Sequence, residues 1–250
     1  MLRGRITTKI VLPFIIVMFV LAIGGTWEVL NLVTSSLVQR FQNQLLDAGK
    51  NANDSIITME GQQLSLLRLM SNTQGVDTAL VQHDAKTLQT LLLPLQANSN
   101  FTFVDVVDAS GSELLKLRPA DGQYATAQDP AIANWQITKD SLANNADQYG
   151  NKYTELVNTS FGPFIYTGGA VLDTNNNVVG AVLIGMPFPD LIAQLTKDAA
   201  APVTVYNADG TVFGTSLPVQ KGDAPLTLDS ATISSVAATS SAINQNTVQR

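Results

Sequence analysis

Residues Ile10 to Trp27, IVLPFIIVMFVLAIGGTW, run for eighteen positions without a charge, with Lys9 before them and Glu28 after. At the helical rise this is roughly 27 Å, close to the hydrocarbon thickness of a bilayer. A soluble helix of that length is normally amphipathic, whereas this one is apolar on every face. A buried core helix is the alternative, and its uniform apolarity argues against it. Arg3, Arg5 and Lys9 precede the segment, and no acidic residue occurs before Glu28. By the positive-inside rule residues 1–9 form a cytoplasmic N-terminus, 10–27 a transmembrane signal anchor, and the rest is extracytoplasmic. A cleaved signal peptide is the competing reading. Its apolar core would be shorter, and the helical pattern here continues past the small-residue sites Ala22-Ile23-Gly24 and Gly24-Gly25-Thr26.

From Glu28 to about Met70 apolar residues recur in steps of three and four: Leu30, Val33, Leu37, Phe41, Leu45, Ala48, Ala52, Ile56 and Met59. The opposite face is polar, with Arg40, Asn43, Asp47 and Lys50. A single stripe on so long a helix needs a cover, either a second copy of the helix or a domain lying against it. The expectation is a homodimer through the long helix. Ser71 to Gly75 ends the pattern. A short helix over Val76 to Val81 follows, then one from Ala85 to Gln96, capped by Asp84 and kinked or closed near Pro94.

At Phe101 the character changes. FTFVDVVD, a turn around Asp108 and Gly111, and SELLKL predict a hairpin over Phe101 to Leu117. A polar region, RPADGQYATAQDP, leads to a helix from about Ala131 to Ala143 that contains Trp135. After the loop NNADQYGN come strands at Tyr153 to Asn158, Phe164 to Asp173 and Val178 to Pro187, the last two joined by Thr174 to Asn177. A short helix spans Asp190 to Lys197. At Pro202 a hairpin pattern returns as VTVYNADGTVFGTS, with its turn at Asn207 to Gly210. The C-terminal residues SATISSVAATSSAINQNTVQR offer at most one helix. The fold class is α+β.

Composition limits what such a chain can do. The first nine residues carry +3, leaving −9 on the remainder of a chain whose formal charge is −6. An acidic ectodomain lacks the basic patch that nucleic acid requires, so no nucleic-acid partner is expected. There is no cysteine, which excludes disulfides and cysteine-based metal sites. His83 is the only histidine and sits beside Asp84, where a surface or capping place suits it better than a base. Ser110 and Ser112 lie in a turn without a nucleophile elbow. GGAVLD around Gly168 and Gly169 has no lysine and helix following it, so it is no phosphate loop; small residues there let another group approach the strand. The turns at Asp129-Pro130 and Asp173 to Asn177 lack the alternating ligands of a calcium loop. No catalytic residue, metal ligand or cofactor is predicted, and the chain is not expected to be an enzyme.

Three segments carry a family resemblance: FVDVVDASGSELLKL, FIYTGGAVLDTNNNVVGAVLIGMPF and the restart VTVYNADGTVFG. With the anchor and long helix ahead of them, the chain resembles the Cache sensor domains of bacterial membrane receptors over about residues 28 to 217. The resemblance implies a PAS-like, five-stranded antiparallel sheet. It divides the chain into long and short helices (28–94), a membrane-distal PAS-like unit (95–198), and a partial second unit with a polar tail (199–250), as in double-Cache receptors. It implies a small-molecule ligand in the distal unit, and a second span leading to a cytoplasmic output module such as a methyl-accepting, kinase or cyclase domain. Neither span nor module lies within these residues, so a fragment of a longer receptor is expected. The rival reading is a membrane-anchored structural or protein-binding ectodomain with no small ligand.

Ligand pockets are mostly apolar with a few convergent polar groups. Five residues are candidates. Asp105 sits mid-strand on the face of Phe103 and Val107; pointing inward it needs a partner, pointing outward it is ordinary surface. Arg118 ends the second strand and is either a carboxylate clamp or an exposed arginine. Trp135 either covers a pocket or belongs to the core. Tyr153 and Tyr166 are amphipathic strand residues with hydroxyls to offer. The Arg-Trp-Tyr-Asp constellation of Cache domains that bind amino acids does not match this spacing, so amino-acid recognition is not implied.

Overall fold

The computed structural model describes residues 6–99, 101, 103–118, 131–146, 150–159, 162–218, 226–236 and 238. The loop 119–130, including Asp129-Pro130, part of the NNADQYGN loop and most of the C-terminal segment lie outside the described residues, as do Arg3 and Arg5. The chain divides into two units, 1–50 and 51–250.

The first unit contains only helix α1 (Ile6–Ser71), whose last turns belong to the second unit. By length and composition α1 has a segment able to cross a membrane. Its described apolar side chains have no cover: Phe19 is 66% exposed and Trp27 74%. Thr26 donates its hydroxyl to the Ala22 carbonyl at 2.7 Å, which satisfies the one polar side chain in an apolar run. The stripe is open at Leu30, Val33, Leu37, Phe41 and Leu45. Its far end meets the second of the two expected covers, a domain lying against the helix. Met59 is buried in the core of the second unit, so that end of the stripe is occupied within the chain.

The second unit is built on a five-stranded antiparallel sheet in the order β2-β1-β5-β4-β3. The strands are β1 (Phe103–Asp108), β2 (Glu113–Leu117), β3 (Lys152–Thr159), β4 (Gly162–Leu172) and β5 (Val178–Pro187). This is the expected PAS-like α+β fold. Helices α2 (Val76–Val81) and α3 (Ala85–Ala97) precede the sheet. Asp84 Oδ1 caps α3 by accepting from Lys86 N and Thr87 N, while Pro94 lies within the helix and does not end it.

Both faces of the sheet are covered, which is why all six residues of β1 are buried. Val104 and Val106 face Leu67, Met70, Leu80, Leu88 and Leu92 from the helices. Phe103 and Val107 face the other layer, with Phe164, Tyr166, Leu183, Ile132, Trp135 and Ile137. Each such side chain fully buried contributes about 1.5–3 kcal/mol before the ordering cost is counted. The second layer is carried by a 3-10 turn (Ile132–Asn134) and helix α4 (Gln136–Ala143). A continuous helix through Trp135 is therefore not formed: Trp135 is extended (φ −62°, ψ 141°) and stands at the N-cap of α4. Without a side-chain cap of its own, α4 borrows one from the edge strand, where Glu155 Oε2 accepts from Ile137 N at 2.7 Å.

Helix α5 (Phe188–Ala199) leaves β5 with Pro189 in its first turn, earlier than Asp190. It leads to a separate two-stranded sheet, β6 (Thr204–Tyr206) and β7 (Val212–Thr215), which packs on α5 through an edge-on Phe188–Phe213 contact at 4.5 Å. One turn geometry recurs in three of the hairpins, β1–β2, β4–β5 and β6–β7. Asp108 N, Asp173 N and Asn207 N donate to the carbonyls of Ser112, Asn177 and Thr211, and a left-handed residue (Gly111, Asn176 or Gly210) closes each turn. Only glycine, or an asparagine that tolerates the left-handed region, fits that fourth position.

Candidate functional site

The register places two rows of side chains on the α4-facing side of the sheet. One row is Tyr153, Gly168, Leu183, Asp105 and Lys116, read from β3 to β2. The neighbouring row holds Glu155, Tyr166, Gly185 and Phe103. Arg118, just past the end of β2, lies against Phe103, with its guanidinium carbon 5.2 Å from the ring centroid.

Asp105 is fully buried, which settles its orientation: the surface alternative is wrong, because β1 is an interior strand covered on both faces. Its carboxylate is held from two sides. Arg118 Nη2 donates to Oδ1, and the Tyr166 hydroxyl donates to Oδ2 at 3.0 Å. Arg118 is not an exposed arginine either; its side chain is 5% exposed. Nη1 donates to the carbonyls of Leu117 (2.9 Å) and Val104 (3.4 Å), while Nε is buried without an acceptor. Burial pushes the Asp105 carboxyl up to about 7, against the opposing pull of the Arg118 charge, and the nearby Glu113 adds to the rise. Burial, and then the Asp105 charge, also raise the Tyr166 phenol, which stays a proton donor. Glu113 itself pairs with Lys116 at 3.0 Å.

Tyr166 reaches Asp105 because β5 has no side chain in the way. Tyr166 and Phe103 both pair with Gly185, and a Cβ at Gly185 would stand 2.5 Å from Tyr166 Cε1 and 2.7 Å from Cζ. The ring thus lies across the glycine. Trp135 covers it, with ring centroids 5.0 Å apart, and Phe164 stacks at 5.9 Å.

Four of the five sequence candidates, Asp105, Arg118, Trp135 and Tyr166, therefore form one cluster. Tyr153 does not join it. It lies three strands from Asp105, about 14 Å at normal strand spacing, and its hydroxyl donates to the Asn145 carbonyl. Sequence reasoning missed Gly185, Glu113, and two α4 hydroxyls, Thr138 Oγ1 and Ser141 Oγ. Both hydroxyls are fully buried on this face without a hydrogen-bond partner among the described residues. Ser141 would touch a Cβ at Gly168 (2.6 Å), so the small residue at that position does admit an approaching group. His83 is exposed at its turn and contacts Asp108 Oδ2 at 3.1 Å, a turn contact rather than a base. Among the described residues no cluster of three or more His, Cys, Asp or Glu could hold a metal.

No family model matches the sequence, and no curated protein matches it. Solved structures do match the fold. The ligand-binding domain of the Campylobacter jejuni chemoreceptor Tlp3, in complex with L-valine, superposes with a TM-score of 0.54 at 14% identity, covering 73% of each chain. The sensor domain of the V. cholerae histidine kinase DctB gives 0.53 at 14% identity, covering 81% of this chain and 75% of that one. An extracellular ligand-binding receptor of Desulfohalobium retbaense gives 0.52 at 16%, covering 68% of this chain and 30% of that one. The chain has the fold of these sensor and ligand-binding domains.

Proposed function

We propose that this chain is the extracytoplasmic ligand-sensing region of a membrane-bound receptor, which passes a conformational change through α1 to a cytoplasmic output module outside these residues. The observation that carries the reading is the buried Asp105–Arg118–Tyr166–Trp135 cluster on the α4 side of the sheet. A fully buried ion pair is seldom the most stabilising way to fill a core, and apolar residues of equal volume often do as well or better. A buried pair in that place suits a site that must recognise something. The unpartnered Arg118 Nε and the hydroxyls of Thr138 and Ser141 are further polar groups on that side. A small polar ligand that rearranges these bonds would bind two states of α4 and the sheet unequally, which is what signalling requires. The β6-β7 hairpin is taken as the start of a second PAS-like unit. A homodimer through the open Leu30 to Leu45 stripe would turn a small shift into discrete repacking.

The test is thermal-shift screening of the full chain in detergent against a metabolite library. A ligand that raises the unfolding temperature of the wild type, and fails to do so with Asp105→Asn or Arg118→Gln, supports the reading. If no compound stabilises the protein, the ectodomain acts as a structural or protein-binding module instead.

A further inference from the structure

The Tyr166 ring and helix α1 lie on opposite sides of β4, and one residue joins them. Tyr166 and Thr167 are consecutive, so their side chains leave opposite faces of the strand. Tyr166 reaches Asp105 on the α4 side, while Thr167, itself buried, donates to Oε1 of Gln63 on α1 at 2.8 Å. Gln63 is fully buried in the seam where α1 meets the sheet, in line with Met59, Leu66, Leu67 and Met70. Those neighbours are apolar, so a leucine would continue the seam, whereas a glutamine brings an amide that must be satisfied. It is satisfied on one side only: Nε2 has no partner among the described residues.

On the edge strand, Thr154 pairs with Thr167, and the two hydroxyls stand 3.3 Å apart. Either can donate to the other. The chain Thr154–Thr167–Gln63 therefore has two arrangements with equal numbers of hydrogen bonds. In the one observed, Thr167 donates to Gln63 Oε1 and Nε2 is left over. In the other the amide is turned over: Nε2 donates to Thr167 Oγ1, Thr167 donates to Thr154, and Oε1 is left over. Thr154 is exposed, so water completes its hydroxyl in either case. A buried carbonyl without a partner is borne more readily than a buried N–H, which keeps the second arrangement close in free energy. Which one holds depends on where β4 sits between α1 and β3, because the contact to Gln63 is short and that to Thr154 is long.

We infer that Gln63 is the positioning residue that couples the Asp105 cluster to α1: a shift of β4 at Tyr166 reverses the Thr154–Thr167–Gln63 hydrogen bonds and so changes how α1 is held on the sheet. The inference rests on the reading of that cluster as the sensing site. It supplies the discrete two-state element that transmission needs, which proximity alone would not.

The test is a double-mutant cycle on the full chain in maltoside micelles at fixed pH, with no ligand added and amide hydrogen exchange as the readout. Tyr166→Phe breaks the bond to Asp105 and serves as the input. In the wild-type background it should raise exchange in residues 55–71 of α1 over that in α3 by about threefold or more, the size of a contact-level coupling. Gln63→Leu continues the apolar seam and leaves no amide to satisfy, and it should abolish that excess. Thr167→Val should do the same, and Thr167→Ser should keep the excess. A merely structural loss raises exchange in α1 and α3 alike. Equal responses of the two helices, an excess that survives in Gln63→Leu, or its loss in Thr167→Ser overturns the inference. A failed metabolite screen is a separate result, since it bears on the ligand and not on this coupling.

Discussion

The Tyr166 hydroxyl reaches Asp105 Oδ2 at 3.0 Å by crossing the whole width of β5 above Gly185. A strand-to-strand hydrogen bond between side chains two strands apart is possible only because the strand between them is bare at that position. Removing the hydroxyl in Tyr166→Phe keeps the ring and its contact with Trp135, yet leaves a buried carboxylate short of one donor. The expected loss is about 1–3 kcal/mol, read from the urea midpoint of the folded second unit with an unchanged m-value. A midpoint equal to the wild type would mean the bond contributes nothing.

Gly185→Ala tests the bridge from the other side. The new methyl would displace the Tyr166 ring, since 2.5 Å is far inside van der Waals contact. We expect destabilisation of about 1–3 kcal/mol together with a changed near-ultraviolet circular dichroism signal from the Trp135–Tyr166 pair. An unaltered signal would show that the ring does not lie where the glycine makes room for it.

The Asp105 carboxyl, raised to about 7 by burial, sets a definite pH dependence. Its folded value exceeds its unfolded one, so the native state holds the extra proton between about pH 4 and 7. The stability it contributes is complete below the unfolded value and is lost as pH rises through about 7. Asp105→Asn should therefore flatten the decline in denaturation midpoint between pH 4.5 and 7.5. Turn aspartates such as Asp108 and Asp173 act oppositely, because hydrogen bonds hold them below the ordinary value. Their contribution is present above about pH 4 and is lost as pH falls further. The two windows do not overlap.

Arg118→Met removes the cation facing Asp105. At pH 8 the remaining charge is stranded, and the expected cost is about 3–5 kcal/mol. At pH 5.5 the carboxyl takes up a proton and the cost shrinks. Equal losses at both pH values would contradict a titrating Asp105.

The stripe on α1 predicts a pattern of disulfide crosslinks. The chain has no native cysteine, so single cysteines at Val33, Leu37 and Phe41 report without background. In membranes these should form dimers, while cysteines at Gln42 and Asn43 should not. Absence of crosslinks at all five positions, or equal yields on both faces, would remove the homodimer.

Much of the fold is legible from local chemistry. The strand Val178–Pro187, the Asp84 cap and the turns at Asp108 and Asn207 follow from residue type and spacing alone. Asp105 could be singled out because a charge between valines on a β-rich run is rare. Its direction could not, since that depends on β1 being an interior strand, and strand order is a long-range property. The same applies to Tyr166: its pairing with Asp105 depends on a glycine on a third strand. The run IANWQITKD predicts one helix through Trp135, whereas the extended Trp135 backbone starts α4 afresh under the Glu155 cap. The Gln63–Thr167 bond leaves no mark in the sequence, as nothing local links a helix residue to a strand a hundred positions later.

The strand order also has a consequence for how the chain is made. Phe103 pairs with Gly185, so the first strand of the sheet waits for the last. The hairpin of β1 with β2, and that of β3 with β4, can each close on local turns as the chain is synthesised. Until β5 arrives they remain two ribbons with open inner edges and an Asp105 without its tyrosine. Folding of this domain therefore passes through a half-assembled interval that ends only when Val178 to Pro187 slides between them.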